Sequence, residues 1–141
     1  TGSEVQNITD DSVQKLYDEA RDAAAAGAPT AAVMACRTIL MHVAVAKKAE
    51  RDQDFEYYVD YLNDEGYVPK GLEDWAHVIR KMGNKVNHRI LIMTPDQAKT
   101  ILRFTETLLR IIYEMPEEVK AAKEIKPKLV VDASPPSVAQ N

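Results

Sequence analysis

Cysteine and glycine are scarce in this chain, whose 141 residues include one cysteine, five glycines and seven prolines. A single cysteine cannot form an intrachain disulfide, which excludes a disulfide-stabilised scaffold and indicates a reducing compartment. Cys36 lies in an apolar stretch, and this favours a buried small side chain over a reactive thiol. The composition also excludes collagen and a largely disordered chain. The sequence therefore predicts one globular domain, long enough to bury a core without a metal or a disulfide.

An excess of basic residues is also missing, because 18 lysines and arginines stand against 22 aspartates and glutamates, for a net charge of −4. Bulk electrostatic attraction to nucleic acid is not expected, although a local basic patch is compatible with this balance. No run of 18 apolar residues exists, and the nearest candidate, residues 31–46, contains Arg37 and His42. With no recognisable signal peptide either, the sequence predicts no membrane association and a cytoplasmic location.

Apolar residues recur at helical spacing along the chain, and no alternating strand pattern of useful length is present. The sequence therefore predicts an all-α fold, a bundle of about five helices in which the very apolar second helix is central. The predicted helices cover about residues 11–26, 29–50 and 55–66, a long helix that starts near Leu72, and residues 94–115, after which Pro116 restarts a short turn. The last long helix has the clearest start, with Thr94 as its cap and Gln97 at the capping-box position.

Three segments are predicted from these patterns. Residues 1–10 form an N-terminal extension, of which the first three look like a cloning remnant. Residues 11–123 form the helical domain. Residues 124–141, which contain three prolines, form a flexible and disordered C-terminal tail.

Several chemistries are not supported by any motif. The sequence has no glycine-rich phosphate loop, no pair of cysteines and no His-Glu-x-x-His zinc signature, so neither a cofactor nor a metal is predicted. Of the three histidines, His42 lies among apolar residues and is expected to be a satisfied core histidine. His77 taken alone is expected at the surface.

The segment around residues 79–89 carries the strongest candidate site. If the helix continues through Gly83, its face opposite Trp75, Ile79, Met82 and Val86 gathers cations, an amide and imidazoles. Such groups suit a phosphodiester, because Arg or Lys can hold the phosphate while His moves a proton near neutral pH. On pattern alone the solvated face of an amphipathic helix is the favoured interpretation of the same stripe, and both interpretations stay open. The residues of this polar face are His77, Arg80, Lys81, Asn84 and His88.

The order of features resembles the bacterial and phage family called domain of unknown function 4145. The resemblance rests on LYDEA at 16–20, AAVMACR at 31–37, LNDEGYVP at 62–69, WAHVIRKMGN at 75–84, His88, Thr94-Pro95 and YEMP at 113–116. It covers about residues 11–123. That family is in turn similar to the HEPN (higher eukaryotes and prokaryotes nucleotide-binding) superfamily. Its members are helical bundles, commonly dimeric, and occur in toxins, phage-defence systems and RNA-processing enzymes.

The resemblance implies a metal-independent endoribonuclease in active members, built on an Arg, a polar residue, three variable residues and a His. Two copies of this motif meet across a dimer to form one site. Here Asn84 matches the polar residue and His88 the histidine, but Gly83 occupies the arginine position. Arg80, one turn earlier, is the candidate replacement. Some HEPN toxins carry a tyrosine for adenylylation two residues after the His; here that residue is Ile90, so this control is not supported.

These observations favour a HEPN-like binding or regulatory module associated with RNA or a nucleotide, acting as a homodimer with a further protein partner possible. One alternative is an endoribonuclease with His88 as acid and base, Arg80 as phosphate clamp and Asn84 orienting the site. In either case further contacts to nucleic acid are assigned to His77, Lys81, Lys85 and Arg89. The other alternative is a purely structural dimerisation domain.

Overall fold

A computed structural model describes residues 2–83 and 91–127 of the chain. The described residues are all-helical and contain no strand, as the sequence predicts. The successive helices are α1 (Asp11–Ala25), α2 (Pro29–Ala46), α3 (Phe55–Asp64), α4 (Glu73–Arg80) and a long terminal segment. That segment consists of α5 (Pro95–Leu109), a π-helical turn (Arg110–Glu114) and α6 (Met115–Lys123).

Local capping signals determine where two of these helices begin. The side chain of Asp10 accepts hydrogen bonds from the backbone N–H groups of Ser12 and Val13 at the start of α1. At α5 the predicted capping box is present, because Thr94 and Gln97 each bind the other's backbone N–H. These are short-range interactions, which explains why the sequence alone located both starts.

Helix α2 is the centre of the core, as predicted, and packs against α1, α3 and α5. Its length and apolar composition would suffice to cross a membrane, a criterion that core helices of globular proteins also meet. In this fold one of its faces is covered by the neighbouring helices, and its alanines allow their close approach. The buried residues of α2 are Ala32, Val33, Cys36, Ile39, Leu40, Val43 and Ala44.

Helix α4 is shorter than predicted, because it ends at Arg80 and does not continue through Gly83. After Lys81 and Met82 the chain turns, and the Cα of Gly83 comes to lie against Phe55 of α3. A Cβ at Gly83 would lie 3.2 Å from Cδ2 of Phe55, closer than a comfortable contact. The single polar stripe over residues 77–88 was predicted on the condition that the helix continues through Gly83, and this condition is not met.

The π-helical turn is a feature that the sequence analysis missed. It ends just before Pro116, which has no backbone N–H to donate and whose ring would clash with the carbonyl group four residues earlier, on Ile112. The backbone N–H of Met115 instead reaches the carbonyl of Arg110, one residue further back than in an α-helix. The wider turn lets the helix pass Pro116 without breaking.

The segment before α1 packs on the bundle through residues far along the chain. Val5 is a buried core residue, and the Tyr17 hydroxyl donates a hydrogen bond of 2.6 Å to the carbonyl of Ser3. Arg110 donates to the carbonyl of Glu4 at 3.0 Å. Residues 2–10, assigned from sequence to an extension, therefore contribute to the core and its polar edge.

Candidate functional site

The candidate site lies where α2, α3 and the end of α4 meet around one aromatic ring. Phe55, the first residue of α3, is buried and contacts Gly83. The guanidinium carbon of Arg37, from α2, lies over the Phe55 ring, 5.3 Å from its centre. We call Arg37, Phe55, Asp60, Arg80 and Gly83 the α2–α3–α4 corner. Two arginines thus belong to the corner, and they differ sharply in their partners.

Arg80 is held by the acidic side chains of α3. Its Nε donates to both carboxylate oxygens of Asp60, at 2.9 and 3.1 Å, and its Nη2 lies 3.7 Å from a carboxylate oxygen of Glu56. The hydrogen bond to Asp60, followed by the charge of that carboxylate, raises the pKa of the Arg80 guanidinium. A phosphate bound by Arg80 would have to compete with Asp60. The predicted phosphate clamp therefore exists as an ion pair within the protein.

Arg37 has no such partner. Its Nη1 contacts the sulfur of Met34 at 3.5 Å, its buried Nε has no hydrogen-bond acceptor, and no carboxylate lies within ion-pair distance among residues 2–83 and 91–127. Partial burial disfavours the charged form and lowers the pKa of the guanidinium. An anion within reach of the guanidinium would balance its charge. The sequence analysis used Arg37 only as an argument against a membrane span, although a cation in so apolar a helix was itself a signal.

The remaining predicted contact residues divide into two groups. His77 is exposed on α4, and Lys81, the residue that caps the end of this helix, is exposed one turn later. Neither has a polar partner in the part of the chain that the structure describes. Asn84, Lys85, His88 and Arg89 lie outside the described residues, so their roles stay predictions. In the chain they follow directly on Gly83.

His42 is exposed, so the prediction of a core histidine is wrong. Its side chain is 49% exposed and its Nε2 lies 2.7 Å from Oδ2 of Asp10, the residue that caps α1. The hydrogen bond to His42 is the main cause that lowers the pKa of the Asp10 carboxyl. The adjacent residues Val43 and Ala44 take the core-facing positions of α2, and His42 is left at the helix edge.

Cys36 is fully buried, as the sequence predicts. Burial raises the pKa of its thiol to about 12. Among the described residues, no group of three or more histidine, cysteine or acidic side chains could hold a metal ion. The chemistry available at the α2–α3–α4 corner is therefore that of guanidinium and carboxylate groups.

We expect Cys36 to resist thiol reagents in the native protein. Because the thiolate is the reactive species and a pKa near 12 leaves little of it at pH 8, labelling should be at least about 100-fold slower than for an exposed cysteine. The measurement is the rate of modification by a chromogenic disulfide reagent, with the same protein in concentrated urea as the control. Rapid modification without denaturant would contradict the buried position.

Comparison with known families identifies the domain that contains the α2–α3–α4 corner. The model of the family described as "Domain of unknown function (DUF4145)" matches residues 18–128, a range that begins within α1 and contains every residue of the α2–α3–α4 corner. Asp10, the partner of His42, lies outside the match. No curated protein and no solved structure gave a significant match. The matched range covers well over half of the chain, and the chain belongs to the DUF4145 family.

Proposed function

We propose that this protein is a HEPN-like binding module that holds the phosphate groups of RNA or a nucleotide at the α2–α3–α4 corner. The observation that carries the proposal is the Arg37 guanidinium, positioned by the Phe55 ring and left without a carboxylate partner among the described residues. A guanidinium presents its N–H groups in a planar fork that matches the geometry of a phosphate. The contact with the Phe55 ring restrains the guanidinium before a ligand arrives.

Charge placement supports the same proposal. His77 on α4 and Lys81 at the end of that helix are exposed close to Arg80 in the chain. A solvent-exposed lysine attracts a polyanion and makes its affinity salt-dependent, and a histidine can add a hydrogen bond. The net charge of −4 restricts such attraction to a local patch. Arg37 would supply the positioned contact and the α4 side chains the less specific ones.

Binding is better supported than cleavage by the surroundings of Gly83. In active nucleases of the HEPN type this position is an arginine, whereas here a side chain would press on Phe55 at 3.2 Å from its Cδ2. The candidate replacement, Arg80, already donates to Asp60. A nuclease would therefore need another residue to stabilise charge on the phosphate. The proposal includes a homodimer and a role in a toxin or phage-defence system, both taken from the resemblance to the HEPN superfamily.

Replacing Arg37 by glutamine should weaken binding of a fluorescently labelled single-stranded RNA at least tenfold. A charge-assisted hydrogen bond contributes about 1.5–3 kcal/mol, and 1.4 kcal/mol corresponds to a factor of ten. The measurement is fluorescence anisotropy at about 50 mM salt in EDTA. Arg103→Gln is the matched control, because it removes an exposed arginine of α5 outside the corner, and it should change affinity less than threefold.

The variants also separate the two arginines of the corner. Arg80→Gln should weaken binding less than Arg37→Gln, because its guanidinium is already occupied by Asp60. Circular dichroism verifies that each variant is folded, and an adenosine monophosphate competition distinguishes nucleotide from RNA as the preferred ligand. Equal affinity of wild type and Arg37→Gln, with both folded, would overturn the proposed site.

Cleavage is tested in the same samples. Incubation of a mixed RNA pool with the protein in EDTA suppresses metal-dependent contaminants, and His88→Ala and Arg80→Ala serve as comparison variants. We expect intact RNA in every sample. Cleavage by the wild type that is lost in His88→Ala would instead establish the endoribonuclease and overturn a purely binding role.

A further inference from the structure

A second polar site lies along α2, in a groove of about 360 Å³ that shares no residue with the α2–α3–α4 corner. One wall is α2, and the other is formed by the connection between α2 and α3 together with a tyrosine of α3. Its lining residues are Thr38, Met41, His42, Val45, Arg51, Asp52 and Tyr58. We propose that this groove binds a phosphate ester, with His42 and Arg51 contacting the phosphate from opposite walls.

His42 is oriented for such a contact by a second residue. Its Nε2 is engaged by Oδ2 of Asp10 at 2.7 Å, while the other oxygen of Asp10 accepts from the backbone N–H groups of Ser12 and Val13 at 3.0 and 3.2 Å. The carboxylate is thus fixed by the start of α1, and it holds the imidazole through Nε2. Nδ1 of His42 has no partner in residues 2–83 or 91–127. With Nε2 engaged by Asp10, Nδ1 is the ring nitrogen left to contact a phosphate ester, and Asp10 holds the ring in place.

Arg51 lies on a connection that is fastened to α3. The hydroxyl of Tyr58 donates to the carbonyl of Glu50 at 2.8 Å and accepts from the backbone N–H of Gln53 at 3.2 Å. The amide side chain of Gln53 donates to the carbonyl of Arg51 at 3.2 Å. The backbone on both sides of Arg51 is therefore held, whereas its guanidinium has no ion-pair partner within the described chain. A fixed backbone and a free guanidinium suit capture of an anion.

The other lining groups indicate an ester rather than a bare anion. Met41 and Val45 offer apolar contact to an organic substituent, and the exposed carboxylate of Asp52 can accept hydrogen bonds from hydroxyl groups. Asp52 is itself negatively charged and would repel a phosphate, so the phosphate must take its contacts from His42 and Arg51. A hydroxylated phosphate ester, such as a ribose phosphate, combines these features. It can come from a free nucleotide or from a nucleic-acid backbone.

The test follows the imidazole signals by NMR while inorganic phosphate or adenosine monophosphate is added at pH 6. The protein has three histidines, and His42→Gln identifies the signal of His42. We expect a saturable shift of that signal with both ligands and tighter binding of adenosine monophosphate. Arg51→Gln should weaken binding of adenosine monophosphate about tenfold or more. Arg103→Gln, which removes an exposed arginine outside the groove, should leave the affinity for adenosine monophosphate unchanged.

This titration tests the groove independently of the site around Arg37, because Arg37→Gln should leave the ligand-induced shift of the His42 NMR signal unchanged. Displacement of adenosine monophosphate by a short RNA would identify a nucleic-acid backbone phosphate as the ligand. Absence of displacement would identify a free nucleotide as the ligand. Absence of a saturable His42 shift, or equal affinity in wild type and Arg51→Gln, would overturn the groove as a phosphate site.

Discussion

Replacing Phe104 by alanine should lower the free energy of unfolding by about 3–5 kcal/mol. Phe104 lies on α5, is 1% exposed and belongs to the central core cluster. Its ring meets the indole of Trp75 edge to face, with centres 5.3 Å apart and planes inclined at 79°. The substitution removes this contact between α4 and α5 and leaves a cavity that the surrounding helices cannot fully close.

Urea unfolding measured by tryptophan fluorescence is the appropriate assay, because Trp75 is the only tryptophan and lies against the substituted ring. Arg103→Ala is the matched control, since it shortens the adjacent exposed side chain and should change stability by less than about 0.5 kcal/mol. Because the loss of this contact loosens α4, which carries Arg80 of the proposed site, Phe104→Ala should also weaken RNA binding at urea concentrations close to the midpoint of unfolding. A loss below about 1 kcal/mol would contradict the packing of α4 on α5.

Replacing Arg110 by methionine should cost about 2 kcal/mol at neutral pH. Arg110 donates to Glu106 at 3.0 Å, to Glu114 at 2.8 Å and to the carbonyl of Glu4 at 3.0 Å. Breaking a fully buried ion pair costs about 3–5 kcal/mol. The guanidinium here is 31% exposed, so a smaller loss is expected. Two half-buried carboxylates would be left facing each other, and the segment before α1 would lose one of its attachments.

The pH dependence separates this electrostatic effect from lost packing. The backbone N–H of Gln6, and after it Arg110, lowers the pKa of Glu114 in the folded protein. A carboxyl whose folded pKa is depressed adds stability above its unfolded pKa, and this stability is lost as the pH falls through the folded value. The difference between wild type and Arg110→Met should therefore be largest near pH 7 and shrink towards pH 3.

Thermal unfolding between pH 3 and pH 7 measures this dependence. Arg103→Met is the control, because it makes the same change at an exposed position of α5 without a described ion pair. Its effect should be small and independent of pH. An Arg110→Met difference that is equal at pH 3 and pH 7 would show that packing, not charge, accounts for the loss.

The sequence predicted those parts of the fold that depend on neighbouring residues. The all-helical class, the central position of α2 and the burial of Cys36 follow from apolar spacing, and the start of α5 follows from Thr94 and Gln97. Capping and helical periodicity act over one or two turns, so a reader of the chain can recognise them without knowing its tertiary contacts. The family was likewise recognisable from ordered short motifs.

The candidate site was only half predictable. The sequence singled out the end of α4, but it assigned the phosphate contact to Arg80 and gave no role to Arg37. Whether an arginine is available to a ligand depends on which acids lie beside it, and the partner of Arg80 is 20 residues away on α3. Sequence spacing contains no such information between separate helices.

Contacts between distant segments decided the remaining features. Phe55 lies against Gly83, where the chain leaves α4. Asp10 pairs with His42, 32 residues away in the sequence. Glu106 and Glu114 accept hydrogen bonds from the backbone of the segment before α1. Each depends on the angle at which two helices pack, because that angle determines which polar side chains come within hydrogen-bonding distance. The sequence by itself determined the helices and their apolar faces. Only the tertiary structure decided which charges are paired and which have no ion-pair partner among the described residues.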